Sequence, residues 1–132
     1  MKRAGPSLAV TDGMAERLSL RERAFQFGLT AVRMGPQIRS RGAEWAPVAD
    51  QLSRAATAVG AMLEEGVAAE SRRDMAHKHS LALKEVNECA FWLRLLQESN
   101  ATIETLPPLR QEAHELAAML TVSVRKLRTP RP

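Results

Sequence analysis

The sequence predicts an all-α fold, an antiparallel up-down-up-down four-helix bundle, and three observations point to it. Alanine, leucine, arginine and glutamate dominate the chain, and these residues lose least on entering a helix. Runs of β-branched residues are missing almost everywhere, which argues against a sheet. Four stretches place apolar residues at alternating four- and three-residue steps, the spacing of one helical face. A chain of 132 residues is one domain, long enough to bury roughly two thirds of its unfolded surface. With only Phe25, Phe27, Phe91, Trp45 and Trp92 as aromatics, the core must be aliphatic.

Residues 1–14 hold Gly5, Pro6, Ser7, Thr11, Asp12 and Gly13, a composition that punctuates rather than packs, and they read as a flexible N-terminal tail. The bundle is expected over 15–128, with 129–132 as a C-terminal tail. Helix one begins near Glu16 or Ser19. Phe25, Leu29 and Val32 line one face; Phe27, Ala31, Met34 and Ile38 repeat the spacing about 200° around the helix. One side can face the core and the other needs a partner, so Phe27, Ala31, Met34 and Ile38 are assigned to an oligomer interface.

Gly35-Pro36 should kink this helix, because proline lacks the backbone donor and clashes with the preceding turn. Arg41-Gly42-Ala43 makes the first turn. Helix two starts near Glu44, tolerates Pro47 in its first turn, and runs through Val48, Leu52, Ala55, Val59, Met62 and Gly66. Its flank carries Ala49, Ala56 and Gly60, which permit close approach of a neighbour. Helix three, about Ser71 to Glu98, is seamed by Met75, His79, Ala82, Val86, Cys89, Leu93 and Leu96. Residues Ser99 to Thr102 close it by hydrogen-bonding their own backbone. Helix four follows Pro107-Pro108 with Leu109, Ala113, Leu116, Leu120, Val124 and Leu127 in its seam. Short turns between long helices leave antiparallel neighbours in a bundle about 30–40 Å long.

Charge is unevenly spread. Residues 1–42 carry eight basic and three acidic groups (+5), residues 43–124 seven and twelve (−5), and residues 125–132 a further +4. In an up-down-up-down bundle the start of helix one, the turn between helices two and three and the end of helix four meet at one pole. That pole gathers Arg17, Arg21, Arg23, Arg72, Arg73, Arg125, Lys126 and Arg128, the footprint of a polyanion binder. The competing reading is structural: basic residues complement the C-terminal dipole of helix four, and Glu64, Glu65, Glu70 and Asp74 lie close enough to cancel part of the field.

Other chemistry finds little support. Di-iron bundles need Glu-x-x-His on two helices; the nearest match is Asp74-x-x-His77, and His77 and His79 face different ways. No metal and no cofactor are expected. His79 reads as a seam histidine that must find a hydrogen bond, and Cys89 as a small buried hydrophobe in a protein of the reducing cytoplasm. No Gly-rich phosphate loop is present, and nothing sets a nucleophile beside a base in a cleft, so no enzyme is expected. Glu85 and Glu88 flank an apolar seam; a structural pair of Arg54 with Glu88 is the reading adopted, with acid–base work as its alternative. No apolar run reaches the ~20 residues of a membrane span, and residues 1–10 lack the apolar stretch of a signal peptide.

Arg54-Ala55-Ala56, Val59, Glu65-Gly66, Leu81-Ala82, Glu88 and Phe91-Trp92-Leu93-Arg94-Leu95-Leu96 resemble the small four-helix-bundle proteins encoded in 23S rRNA intervening sequences. That superfamily also holds the accessory variability determinant proteins of diversity-generating retroelements. The likeness spans about residues 16–128, and departs from the family where Met62 stands for a frequent Asn and Glu85 for a frequent Ser. It implies a homopentameric, barrel-like assembly whose basic surface, in the retroelement branch, engages RNA or DNA and a reverse transcriptase; it does not imply an enzyme. The leading expectation is a non-catalytic, homo-oligomeric nucleic-acid-binding accessory protein. The rival is a scaffold that docks a helical protein partner on the flanks of helix one and on Trp45 or Trp92, with no nucleic acid involved.

Overall fold

A computed structural model describes residues 18–131. The expected tail over residues 1–14 lies outside them, as do Arg17 and Pro132. Helix α1, Leu20–Arg33, starts where the Ser19 hydroxyl accepts the Glu22 N–H at 3.0 Å, satisfying one of the donors a helix start leaves open. It breaks at Met34, and the short α2, Gly35–Arg39, begins with Pro36 in its first turn. The proline both ends the first ladder and suits the start of the next.

The chain reverses at Gly42, whose φ of 135° is a conformation that side chains disfavour. A single 3₁₀ turn, Ala43–Trp45, leads into α3, Ala46–Val67. Helix α4, Arg72–Glu98, is capped by Ser71, which accepts from the Asp74 N–H at 3.0 Å. It ends through Asn100 in the left-handed region (φ 63°), with the Ala101 N–H donating to the Leu96 carbonyl at 3.1 Å. Helix α5, Leu106–Arg128, carries its two prolines in the first turn, where a missing N–H costs no intrahelical bond.

Around the bundle the order is α1, α3, α4, α5. Helix α4 packs most extensively, on α3 and on α5; α1 lies mainly on α3 and more lightly on α5. The aliphatic centre is built from Leu52, Val59, Leu63, Val86, Leu93, Leu96, Leu109, Leu116 and Leu120, all within 1% of full burial. Close approach of α1 to α3 depends on Gly28, where a Cβ would sit 3.3 Å from the Ala56 carbonyl oxygen. Cys89 is fully buried, and burial pushes its thiol pKa far up, so the thiol is inert. His79 is buried with Nδ1 2.7 Å from the Ser123 hydroxyl, and burial lowers its pKa.

The two faces of α1 are the reverse of those expected. Phe27, Ala31, Met34 and Ile38 are each at most 1% exposed within the protomer, so they form its core and no oligomer interface. The outward face is Phe25, 60% exposed, and Val32, 45% exposed. The reason is continuity: the Phe27 stripe crosses the break at Met34 and runs on into α2, while the Phe25 stripe ends at Val32. A core face must be unbroken along the bundle.

At the outer edge of α3 and α4, Arg54 Nη2 donates to Glu88 Oε2 at 2.5 Å and Nη1 to Glu85 Oε1 at 3.4 Å. Trp92 Nε1 donates to the same Glu88 carboxylate at 3.0 Å. These hydrogen bonds, Arg54 first, hold the Glu88 pKa below the ordinary range. At the pole holding the α2–α3 and α4–α5 connections, the Arg41 guanidinium lies 4.1 Å over the Trp45 ring and donates to Ser99 Oγ at 2.9 Å and Ser99 O at 3.0 Å. Among the described residues no helix is long and apolar enough to cross a membrane, and no group of three or more His, Cys, Asp and Glu side chains is placed to hold a metal ion.

Candidate nucleic-acid interface

The opposite pole holds the first turn of α1, the α3–α4 connection and the last turn of α5. Its arginines divide into two kinds. Arg21 is already paired: Nη2 and Nε donate to the two oxygens of Glu64 at 2.9 and 3.2 Å. Arg23 is withdrawn altogether. Its side chain is 10% exposed, like that of Glu112, and the two meet in a forked pair, Nε to Oε2 at 2.9 Å and Nη2 to Oε1 at 2.6 Å. Nη2 also donates to Glu115 at 2.7 Å, and Nη1 reaches the Met119 sulfur at 3.4 Å. The hydrogen bond that Arg23 donates to Glu112, outweighing burial, raises the Arg23 pKa, so the charge is fixed. Arg23 therefore fastens α1 to α5 and is no contact for a ligand, contrary to expectation. It stands four residues before Phe27, on the core stripe, and that position buries it.

The other five remain. Arg73, Arg125, Lys126 and Arg128 are exposed, and none of them forms an ion pair among the described residues. Arg72 Nη2 donates to the Lys126 carbonyl at 2.7 Å, tying the start of α4 to the end of α5. Four other N–H donors of that guanidinium are not used in this bond. Of the four acidic neighbours that might cancel the field, Glu64 pairs with Arg21 and Glu65 with Lys78 at 3.0 Å, while Asp74 stands among the cations of this pole and offsets one of them. Between α4 and the chain leaving α5 lies a concavity of about 850 Å³, walled by Arg72, Arg73, Asp74, His77, Arg128 and Arg131 among others. Arg131 is an addition: residues 129–132 are expected as a tail, although Arg-x-x-Arg at 128–131 keeps cations together.

Over residues 16–122 the chain matches the family of 23S rRNA-intervening sequence proteins. It belongs to that family. The stretch takes in α1, α3, α4 and most of α5, but stops short of Arg125, Lys126 and Arg128. A crystal structure of a protein of unknown function from the S23 ribosomal protein family of Bacteroides thetaiotaomicron VPI-5482 superposes with a TM-score of 0.71. It is 24% identical, and the alignment covers 84% of this chain and 100% of that one. This likeness establishes the shared fold alone. No curated protein matches the sequence. In this intervening-sequence protein the stretch Phe91 to Leu96 turns Leu93 and Leu96 into the core, while Phe91 is 57% exposed and meets Trp92 edge-on at 5.0 Å. Trp45 and Trp92 are both half-buried, Trp45 beneath the Arg41 guanidinium and Trp92 donating to Glu88.

Proposed function

We propose that this protein is a non-catalytic, cytoplasmic nucleic-acid-binding accessory protein that acts as a homo-oligomer. The observation that carries the reading is the cationic pole: Arg72, Arg73, Arg125, Lys126, Arg128 and Arg131 share one end of the bundle without an ion-pair partner among the described residues. Family membership adds to it, since the family's name ties these proteins to 23S rRNA intervening sequences. RNA is accordingly the first substrate to test. Six cations engaging phosphates would give a log–log salt slope of about −4 on a single strand and about −5 on a duplex. Filter binding to structured RNA and to DNA across a salt series measures it; negligible retention even at low salt would defeat the proposal.

Self-association falls to the outward face of α1. Phe25, Leu29 and Val32 line an apolar groove of about 350 Å³ against Gly28, Gly60 and Ala61, rimmed by Arg21 and Glu64. Exposed apolar surface of this kind marks an interface, and a ring of protomers, five by the family resemblance, would gather several cationic poles. The resemblance to retroelement accessory proteins extends the proposal to a reverse transcriptase as protein partner, to be tested by co-purification after nuclease treatment. A second reading, a helical docking scaffold without nucleic acid, draws on the same groove and on exposed Phe91. Recovery of a protein partner from nuclease-treated extract, together with absent RNA binding, would favour it.

A further inference from the structure

The shape of the cationic pole says more than its charge. A nucleic-acid duplex presents a continuous convex surface and is read by protein elements that project into its grooves. Here the protein does not project. It offers an open concavity of about 850 Å³ between the first turns of α4 and the segment that leaves α5, comparable in size to the clefts of roughly 300–1,000 Å³ that take a single small ligand. A concavity of that size has room for a nucleotide out of the stack.

The lining suits that occupant. Arg72, Arg73, Arg128 and Arg131 bring four positive charges, Asp74 takes one away, and the net of three matches one or two phosphates rather than a long backbone track. The walls are held in place: Arg72 is bonded to the Lys126 carbonyl at 2.7 Å, and the Ser71 hydroxyl accepts the Asp74 N–H at 3.0 Å. Exposed His77 and the flat guanidinium groups supply surfaces on which a base can stack. Phe25 and Phe91, the exposed aromatic side chains among the described residues, belong to α1 and α4 surfaces that do not line this hollow.

We infer that the hollow between α4 and the end of α5 receives an unpaired nucleotide, so that the protein prefers single-stranded or looped nucleic acid to duplex. The inference rests on the nucleic-acid reading above, and the experiment separates the two. Fluorescence anisotropy of the full-length protein at low salt compares labelled oligouridylate with a blunt RNA duplex of equal phosphate number. The single strand should bind at least about tenfold more tightly, reversing the order that charge density alone sets. The double variant Arg128→Glu, Arg131→Glu, at exposed positions, should weaken single-strand binding by about tenfold or more. Lys84→Glu with Arg94→Glu, which changes net charge equally on the outer face of α4, should cost less than about threefold. Circular dichroism checks that both variants fold. Duplex binding as tight as single-strand binding, or equal losses in the two double variants, would overturn the pocket and leave a general polyanion surface. Absence of binding to either nucleic acid overturns both.

Discussion

Removing Glu112 should destabilise the bundle more than the loss of any other carboxylate among the described ion pairs. The carboxylate and Arg23 are each 10% exposed in their side chains, so the Glu112→Ala variant leaves a guanidinium in a site that water barely reaches. Breaking a buried pair in this way costs about 3–5 kcal/mol. Glu115 still lies 2.7 Å from Nη2 and is itself 46% exposed, so part of the charge stays compensated and the loss should fall to about 2–3 kcal/mol. For a chain of this length that is a drop in Tm of roughly 6–15 °C. Urea unfolding followed by circular dichroism, with the slope checked for constancy, gives the number directly. The double variant Arg23→Met, Glu112→Leu should recover most of the loss, because two apolar side chains need no charge partner, and it should bind RNA as the parent does. A loss for Glu112→Ala below about 0.5 kcal/mol, the range of ordinary surface changes, would refute the claim that Arg23 is a buried fastening.

Other outcomes follow from the same geometry. Burial lowers the His79 pKa, so the folded state favours the neutral ring; stability is fully present above about pH 6.5 and declines as pH falls through the depressed folded value. Unfolding of the parent between pH 7 and pH 5 should show a slope of up to about 1.4 kcal/mol per pH unit, absent in His79→Gln; equal slopes would rule out the buried imidazole as the source. At Gly60 a Cβ would meet its nearest heavy atom at 3.8 Å, so Gly60→Ala should stabilise by about 0.5–1 kcal/mol through helix propensity. Gly28→Ala, facing the Ala56 carbonyl at 3.3 Å, should gain nothing or lose stability; a gain equal to that at Gly60 would contradict the close α1–α3 approach. Phe25→Glu should leave the fold intact and reduce subunit number in light scattering, and an unchanged assembly would remove the α1 face from consideration.

The four long helices were legible because each keeps one unbroken seam, and their turns because Pro36, Gly42, Asn100 and the prolines at 107 and 108 act locally. The two faces of α1 were not legible by spacing alone, since Phe25-Leu29-Val32 and Phe27-Ala31-Met34-Ile38 satisfy the same rule. What separates them is that only the second line continues past the proline. Arg23 belongs to that second line, so its burial could have been read from position, whereas its acidic partner could not: Glu112 is 89 residues away in sequence. The Arg54–Glu88 pairing was foreseeable because it joins neighbouring antiparallel helices. The hollow at the cationic pole was not, because it depends on how the chain leaves α5, and no periodicity governs that segment.

Arg41, stacked on Trp45 and bonded to Ser99, clasps the two connections at one end of the bundle. Both termini of the bundle, the third connection and the cationic hollow lie at the other end. At the charged end Arg23 and Arg72 do join helices, but the side chains of Arg73, Arg125, Lys126 and Arg128 form no ion pair among the described residues, so they can be exchanged without removing a tie between helices. Charge at that end can therefore vary in sequence while the frame stays the same, as a handle stays fixed while the fitting at its tip is replaced.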